Sequence, residues 1–155
     1  MAVVLSDLLR QEQVTLELAA ETRDEALREI VATMRGPGSF ADPEKFLAEV
    51  IAREEVHSTY MGNEVAFPHA RTELVQEIKL GIGRSRAGVP FGAEGEPARL
   101  LFVIAVPRRM VNDYLVCVGG LARVVNDPKT REALLNAETV AELIELIRAT
   151  ALTLE

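Results

Sequence analysis

Apolar and polar positions along this chain switch repeatedly between alternation and helical spacing, which predicts strands interleaved with helices. After a short helix over 5–10, Val14, Leu16 and Leu18 alternate with Thr15 and Glu17 and predict a half-buried strand. Thr22 with Glu25 forms a capping-box start for a helix that Gly36-Pro37-Gly38 stops after Arg35. Asp42-Pro43 opens the next helix, whose Phe46, Leu47, Val50 and Ile51 share one face and which runs out near Arg53-Glu54-Glu55. Strands are predicted over 64–67, 78–83 and 99–106, with a Gly/Pro-punctuated turn over 88–97. The unbroken apolar run from Leu100 to Val106 needs cover on both faces, so it is the central strand with helices on each side. Three helices close the chain: 112–125, 128–136 after Asp127, and 140–149 after Thr139, where Thr139 and Glu142 repeat the capping box. The sum is an α/β fold: one domain over 1–155, a sandwich with a mixed β-sheet of about five strands flanked by helices on both faces.

Composition narrows the partners. A chain of 155 residues, 48% hydrophobic, is long enough for one domain with a real core. Its formal charge of −7 argues against nucleic acid, since non-specific binding to phosphate backbones rests on clustered Lys and Arg. No apolar run approaches the roughly twenty residues of a membrane span, and the N-terminus lacks a signal-peptide pattern. The expectation is a cytoplasmic protein without membrane insertion. Cys117 is the sole cysteine, so an internal disulfide is impossible and a reducing compartment fits. With no Gly-rich loop leading to Lys and Ser/Thr, nothing here would cradle ATP phosphates, and no cofactor is expected.

The chemistry concentrates between Arg53 and Arg71. In Ser58-Thr59-Tyr60-Met61-Gly62-Asn63-Glu64-Val65-Ala66-Phe67-Pro68-His69, an imidazole follows a short apolar strand and a rigid proline. Proline fixes its own φ and pushes Phe67 toward extended geometry, so the ring of His69 can be aimed. Neutral imidazole has one free nitrogen able to attack phosphorus or accept a proton; the plainer alternative is a histidine that merely ends a strand. Arg53 offers a fork of donors suited to phosphate oxygens, or is a solvated helix end. Ser58 and Thr59 offer hydroxyls, or serve a turn. His57 with Glu54 and Glu55 has no recognised zinc spacing, and no metal is predicted. Cys117, among apolar residues, reads as a packed thiol. Gly119-Gly120 inside a helix suggests close packing or a local break.

The Arg53-Glu54 pair, Ser58-Thr59, Gly62-Asn63 and Val65-Ala66-Phe67-Pro68-His69 together resemble the type 2 enzyme IIA domains of the sugar phosphotransferase system, the mannitol, fructose and nitrogen-regulatory class. The likeness spans Leu5 to about Ile147. It implies that His69 is phosphorylated by a histidine-containing phosphocarrier protein and passes the group to a cysteine of a IIB domain. It places Arg53 beside that histidine and gives Thr59, with Ser58, a contact to the phosphate or to the ring. Arg71 matches a position that is often basic.

Three departures stand out. Aligned on Leu121-Ala122-Arg123, the second active-site histidine of many members is Tyr114, a phenol that donates a hydrogen bond but carries no imidazolium charge. His57 is the only other imidazole; it matches no active-site position of the family and reads as solvated surface or as a spatial substitute. Two positions that are often Gly are Tyr60 and Glu64, where a φ above zero would cost strain and Glu64 would bring negative charge near a phosphate. Three functions follow from the resemblance: a phosphocarrier in sugar uptake, a regulatory nitrogen-type protein whose His69 phosphorylation controls partner binding, or a degenerate binding module with an inert His69.

Overall fold

The computed structural model describes residues 5–34, 40 and 42–154. The first predicted helix is only a 3-10 turn over Leu5–Leu8, and a second such turn, Gln11–Gln13, leads into strand β1, Val14–Thr15. β1 is shorter than its alternation suggested because it pairs in parallel only with Ile82 and Gly83. Helix α1 spans Arg23–Val31, with Thr22 accepting from the Glu25 N–H at 3.3 Å as its N-cap. It ends before Arg35: the Thr33 hydroxyl takes the Ile30 carbonyl at 2.7 Å, and the last bonds run three residues back. The expected stop at Gly36-Pro37-Gly38 lies outside the described residues. Helix α2, Pro43–Val56, begins as predicted, with Asp42 accepting from the Lys45 N–H at 3.1 Å and proline in the first turn.

Six strands form one mixed sheet, against about five expected. The strands that the residue pattern does not locate are β2, Tyr60–Gly62, which folds back antiparallel on β3, Val65–Ala66, and β4, His69–Thr72. The two long strands β5, Lys79–Pro90, and β6, Pro97–Pro107, run antiparallel and reach further than their apolar stretches. The predicted turn over 88–97 shrinks accordingly. A register shift between Arg84 and Val89 absorbs Gly88 at φ 91°, and pairing resumes to Pro90 opposite Pro97.

β6 is the central strand, and its side chains divide the core as alternation requires. Leu100, Phe102, Ile104 and Val106 pack under α3 (Val111–Asn126), α4 (Pro128–Asn136) and α5 (Val140–Leu154). Leu101, Val103 and Ala105 face α1 and α2 on the other side. Each fully buried side chain of this size contributes about 1.5–3 kcal/mol, so the two faces together pin the register of β6. α1 comes unusually close to β5: a Cβ at Gly81 would lie 2.8 Å from Ile30 Cγ2, so only glycine fits beneath that helix. α3 runs unbroken through Gly119-Gly120, and a Cβ at Gly119 would meet only Arg123 at 3.6 Å, so neither a break nor close packing accounts for that glycine. Cys117 is buried as expected, and burial pushes its thiol up to about 12.

β3 and β4 lie end to end along the same edge of β6. Val65 pairs with Leu100 and His69 with Ile104, so the register passes unchanged across Phe67-Pro68. Proline donates no bond, yet its carbonyl accepts from the Ile104 N–H at 2.9 Å. His69 is therefore the first residue of a strand rather than one that trails a strand.

Candidate active site

His69 is held from both sides of its ring. Its Nδ1 lies 3.0 Å from the Phe67 carbonyl oxygen, an acceptor only, so Nδ1 carries the proton and Nε2 is the free lone pair. Tyr114, on the first turn of α3, packs against the ring with centroids 5.0 Å apart and planes tilted by 37°. The imidazole is half-buried, and its pKa is lowered below 6.5, first by burial; the Phe67 carbonyl and Glu54 oppose this, and Arg53 and Arg71 reinforce it. The ring is therefore neutral at pH 7, the form a nucleophile requires.

Arg53 reaches the same place from the last turn of α2. One of its amino groups donates to the His57 carbonyl at 2.7 Å, which satisfies a free carbonyl at the helix end and holds the fork in position. Arg53, His69, Arg71 and Tyr114, with Glu49 and Ala70, line an open cleft of about 450 Å3. Glu49 is occupied by the Thr72 hydroxyl at 2.7 Å. Burial, the first cause, raises the Tyr114 phenol above its usual value against the pull of Arg53, so the hydroxyl stays a proton donor at neutral pH.

Thr59 and Ser58 do not reach this cleft. Thr59 is buried, and its hydroxyl and its N–H both donate to the Glu54 carboxylate, each at 2.7 Å to one oxygen. Ser58 Oγ donates to the Phe91 carbonyl at 3.0 Å and accepts from the Tyr60 N–H at 3.2 Å. Both hydroxyl protons are committed, so these residues shape the turn that feeds β2 and β3 instead of presenting donors beside His69. Their link to the site is indirect. Phe67, whose carbonyl fixes the His69 tautomer, donates its own N–H to the Thr59 carbonyl at 3.1 Å. The sequence singles out Glu54 as the neighbour of Arg53, but not its role as the acceptor of Thr59. Adjacent positions on a helix point about 100° apart, so Arg53 faces the cleft while Glu54, only 4% exposed, faces inward and takes up Thr59. The signal was there: an acid one step off the polar face of α2, five residues before a threonine.

Of the remaining expectations, the positive φ at Glu64 and the surface position of His57 hold, and the others are corrected. Glu64 does sit at positive φ, 67°, following Asn63 at 53° and Gly62 at 87°, but Tyr60 is an ordinary strand residue. Glu64 does not line the His69 cleft either: its carboxylate stands 3.9 Å from Arg99, and its backbone N–H donates to the Tyr60 hydroxyl at 3.1 Å. His57 is exposed, caps the end of α2 and meets Arg53 only through its carbonyl, so it does not stand in for a second histidine. Among the described residues, no helix is long and apolar enough to cross a membrane.

Residues 7–150 match the family model described as phosphoenolpyruvate-dependent sugar phosphotransferase system, EIIA 2. The chain is 28% identical over 144 residues to the fructose-specific EIIABC component of Bacillus subtilis, covering 92% of this chain and 23% of that protein's length. It is 30% identical over 107 residues to a nitrogen regulatory protein of Pseudomonas aeruginosa, covering 68% of this chain and 70% of the relative. An NMR structure of a complex between mannitol enzyme IIA and phosphorylated enzyme IIB of Escherichia coli superposes with a TM-score of 0.79 at 26% identity, over 91% of this chain and 97% of the matched one.

Proposed function

Since the chain belongs to the EIIA 2 family of the phosphoenolpyruvate-dependent sugar phosphotransferase system, we propose that it acts as one IIA domain over 1–155, in the cytoplasm, carrying a phosphoryl group on Nε2 of His69. The observation that carries this reading is the hydrogen bond from Nδ1–H to the Phe67 carbonyl at 3.0 Å, which leaves Nε2 unprotonated on a ring that lines an open cleft.

The donor is a histidine-containing phosphocarrier protein. Its P–N bond breaks as the His69 Nε2–P bond forms, and no proton needs to move, because Nδ1 keeps its own. Positive charge then spreads over the phosphorylated ring, and the Phe67 carbonyl, already aligned, strengthens its grip on Nδ1–H. Charge on the equatorial phosphoryl oxygens is met by the Arg53 fork and by the Tyr114 hydroxyl. In the second step a thiolate of a IIB partner attacks phosphorus, the Nε2–P bond breaks, and neutral imidazole is restored. Tyr114 supplies hydrogen bonding without charge, so this chain stabilises the transferred group with one fewer cation than a two-histidine site. Leu115 and Val116, which directly follow Tyr114, are 59% and 63% exposed and offer an apolar rim for docking a protein rather than a small substrate.

The match to a nitrogen regulatory protein favours a second reading of the same chemistry, in which phosphorylation of His69 controls the binding of a regulatory target. The test incubates the chain with phosphoenolpyruvate, the system's first enzyme and the phosphocarrier. An acid-labile adduct that is absent from His69→Ala supports the proposal; an adduct persisting in that variant, or no adduct on the native chain, overturns it. Discharge onto a IIB domain then separates the uptake reading from the regulatory one.

A further inference from the structure

A second cleft, of about 370 Å3, shares no lining residue with the first. It opens at the start of β6, where Arg99 precedes Ile104, the register partner of His69, by about 17 Å along the strand. Arg84, Arg86 and Arg99 line it, together with Leu16, Leu135 and Glu138. Three guanidiniums meeting in one cleft of a chain with net charge −7 need a reason. Arg84 has a structural one: its Nε donates to the Leu16 carbonyl at 3.2 Å and its NH1 to the Leu134 carbonyl at 2.9 Å, tying the exit of β1 to the end of α4. The other two are not so engaged. The Nε of Arg99 is buried and, among the described residues, has no hydrogen-bond partner, while its NH1 stands 3.9 Å from Glu64, beyond hydrogen-bond reach. Arg86 bonds Glu17 at 2.7 Å, but that pair is 82% and 69% exposed, a contact that an incoming anion displaces easily.

We propose that this cleft binds a small organic phosphomonoester non-covalently, with its phosphoryl oxygens on the forks of Arg99 and Arg86 and its body against Leu16 and Leu135. Paired guanidinium forks match phosphate oxygens in geometry as well as charge, and neither Arg99 nor Arg86 is held by the backbone carbonyls that fix Arg84. The volume falls in the range of small-ligand sites, about 300–1,000 Å3, and exceeds what inorganic phosphate alone would fill. Glu17 and Glu138 offer acceptors to hydroxyls of a polar body and oppose a ligand carrying further negative charge on that side.

Isothermal titration of the full chain with a hexose 6-phosphate, the parent hexose and inorganic phosphate tests this. Saturable binding is expected for the phosphate ester alone, weakened about tenfold or more by Arg99→Gln and by the exposed Arg86→Gln, and unchanged in Arg53→Gln. Loss in Arg53→Gln with retention in Arg99→Gln and Arg86→Gln would assign the ligand to the His69 cleft and overturn the proposal. Equal affinity for inorganic phosphate would overturn the ester assignment, and no saturation up to about 10 mM would overturn the site itself. Should Arg99→Gln not fold, Arg86→Gln decides alone, since its side chain reaches solvent.

Discussion

Glu54→Ala should destabilise this protein more than any other single removal of a charge in α2. The carboxylate is 4% exposed and accepts both the N–H and the hydroxyl of Thr59, which is itself buried. Truncation leaves two buried donors without an acceptor, each costing about 1–3 kcal/mol, so the loss centres on about 4 kcal/mol. Against a typical total of about 5–15 kcal/mol this is severe, and for a domain of this size it lowers Tm by about 8–16 °C. The control is Glu55→Ala, one position along, where an exposed carboxylate stands 3.6 Å from Arg23 and the loss stays within about 0.5 kcal/mol. Urea unfolding followed by circular dichroism at pH 7 gives both values. A second readout comes from the charge: Glu54 raises the His69 pKa, so its removal lowers that pKa further, visible in the histidine C2-proton shift titrated by NMR. Equal stability losses in the two variants, or a His69 titration that moves upward, would refute the assignment of Glu54 as the buried anchor of Thr59.

Arg53→Gln removes the fork proposed to meet phosphoryl oxygens and should slow phosphorylation of His69 by about a hundredfold, measured as the initial rate of label uptake, with Arg53→Lys recovering only part of it. Tyr114→His places an imidazole against His69 and should speed both loading and discharge, whereas Tyr114→Phe, which keeps the ring contact and loses the hydroxyl, should slow them; rapid-quench transfer assays distinguish the two. The pKa of His69 is lower in the folded chain than its ordinary 6.5, so the unfolded chain binds the proton more readily. Its contribution to stability is therefore fully present above pH 6.5 and is lost as pH falls through the lowered value, and the rate of phosphorylation should be flat above pH 7 and decline only on the acid side, as pH-dependent melts and initial rates will show.

The parts of this fold readable in advance are those whose causes are local. Thr22, Asp42 and Asp127 cap the helices that follow them, and Pro128–Asn136 begins and ends where its cap and apolar spacing put it. The run from Leu100 to Val106 announced a strand covered on both faces because every one of its side chains had to be buried. Short strands were less legible. β2 and β4 hold three and four residues, too few to show a period, and they exist because β3 and β6 offer an edge to pair with. The long reach of β5 was hidden for a related reason: past Arg84 it is held by pairing with β6 across a register shift, not by apolar alternation.

The site divides along the same line. Pro68-His69 and Arg53-Glu54 were visible as residues, because proline geometry and the type of each side chain are properties of the chain itself. What each polar group touches was not. Ser58 and Thr59 looked like donors for a phosphate until packing turned one hydroxyl to Phe91 and the other to Glu54. The proton on Nδ1 of His69 depends on a backbone carbonyl two residues away whose direction is set by pairing along β6, and Tyr114 meets the imidazole only because α3 returns over that edge. Residue type specifies which chemistry is available; the choice of hydrogen-bond partner belongs to the tertiary structure, since a donor or acceptor removed from water takes whichever group the packing brings within reach.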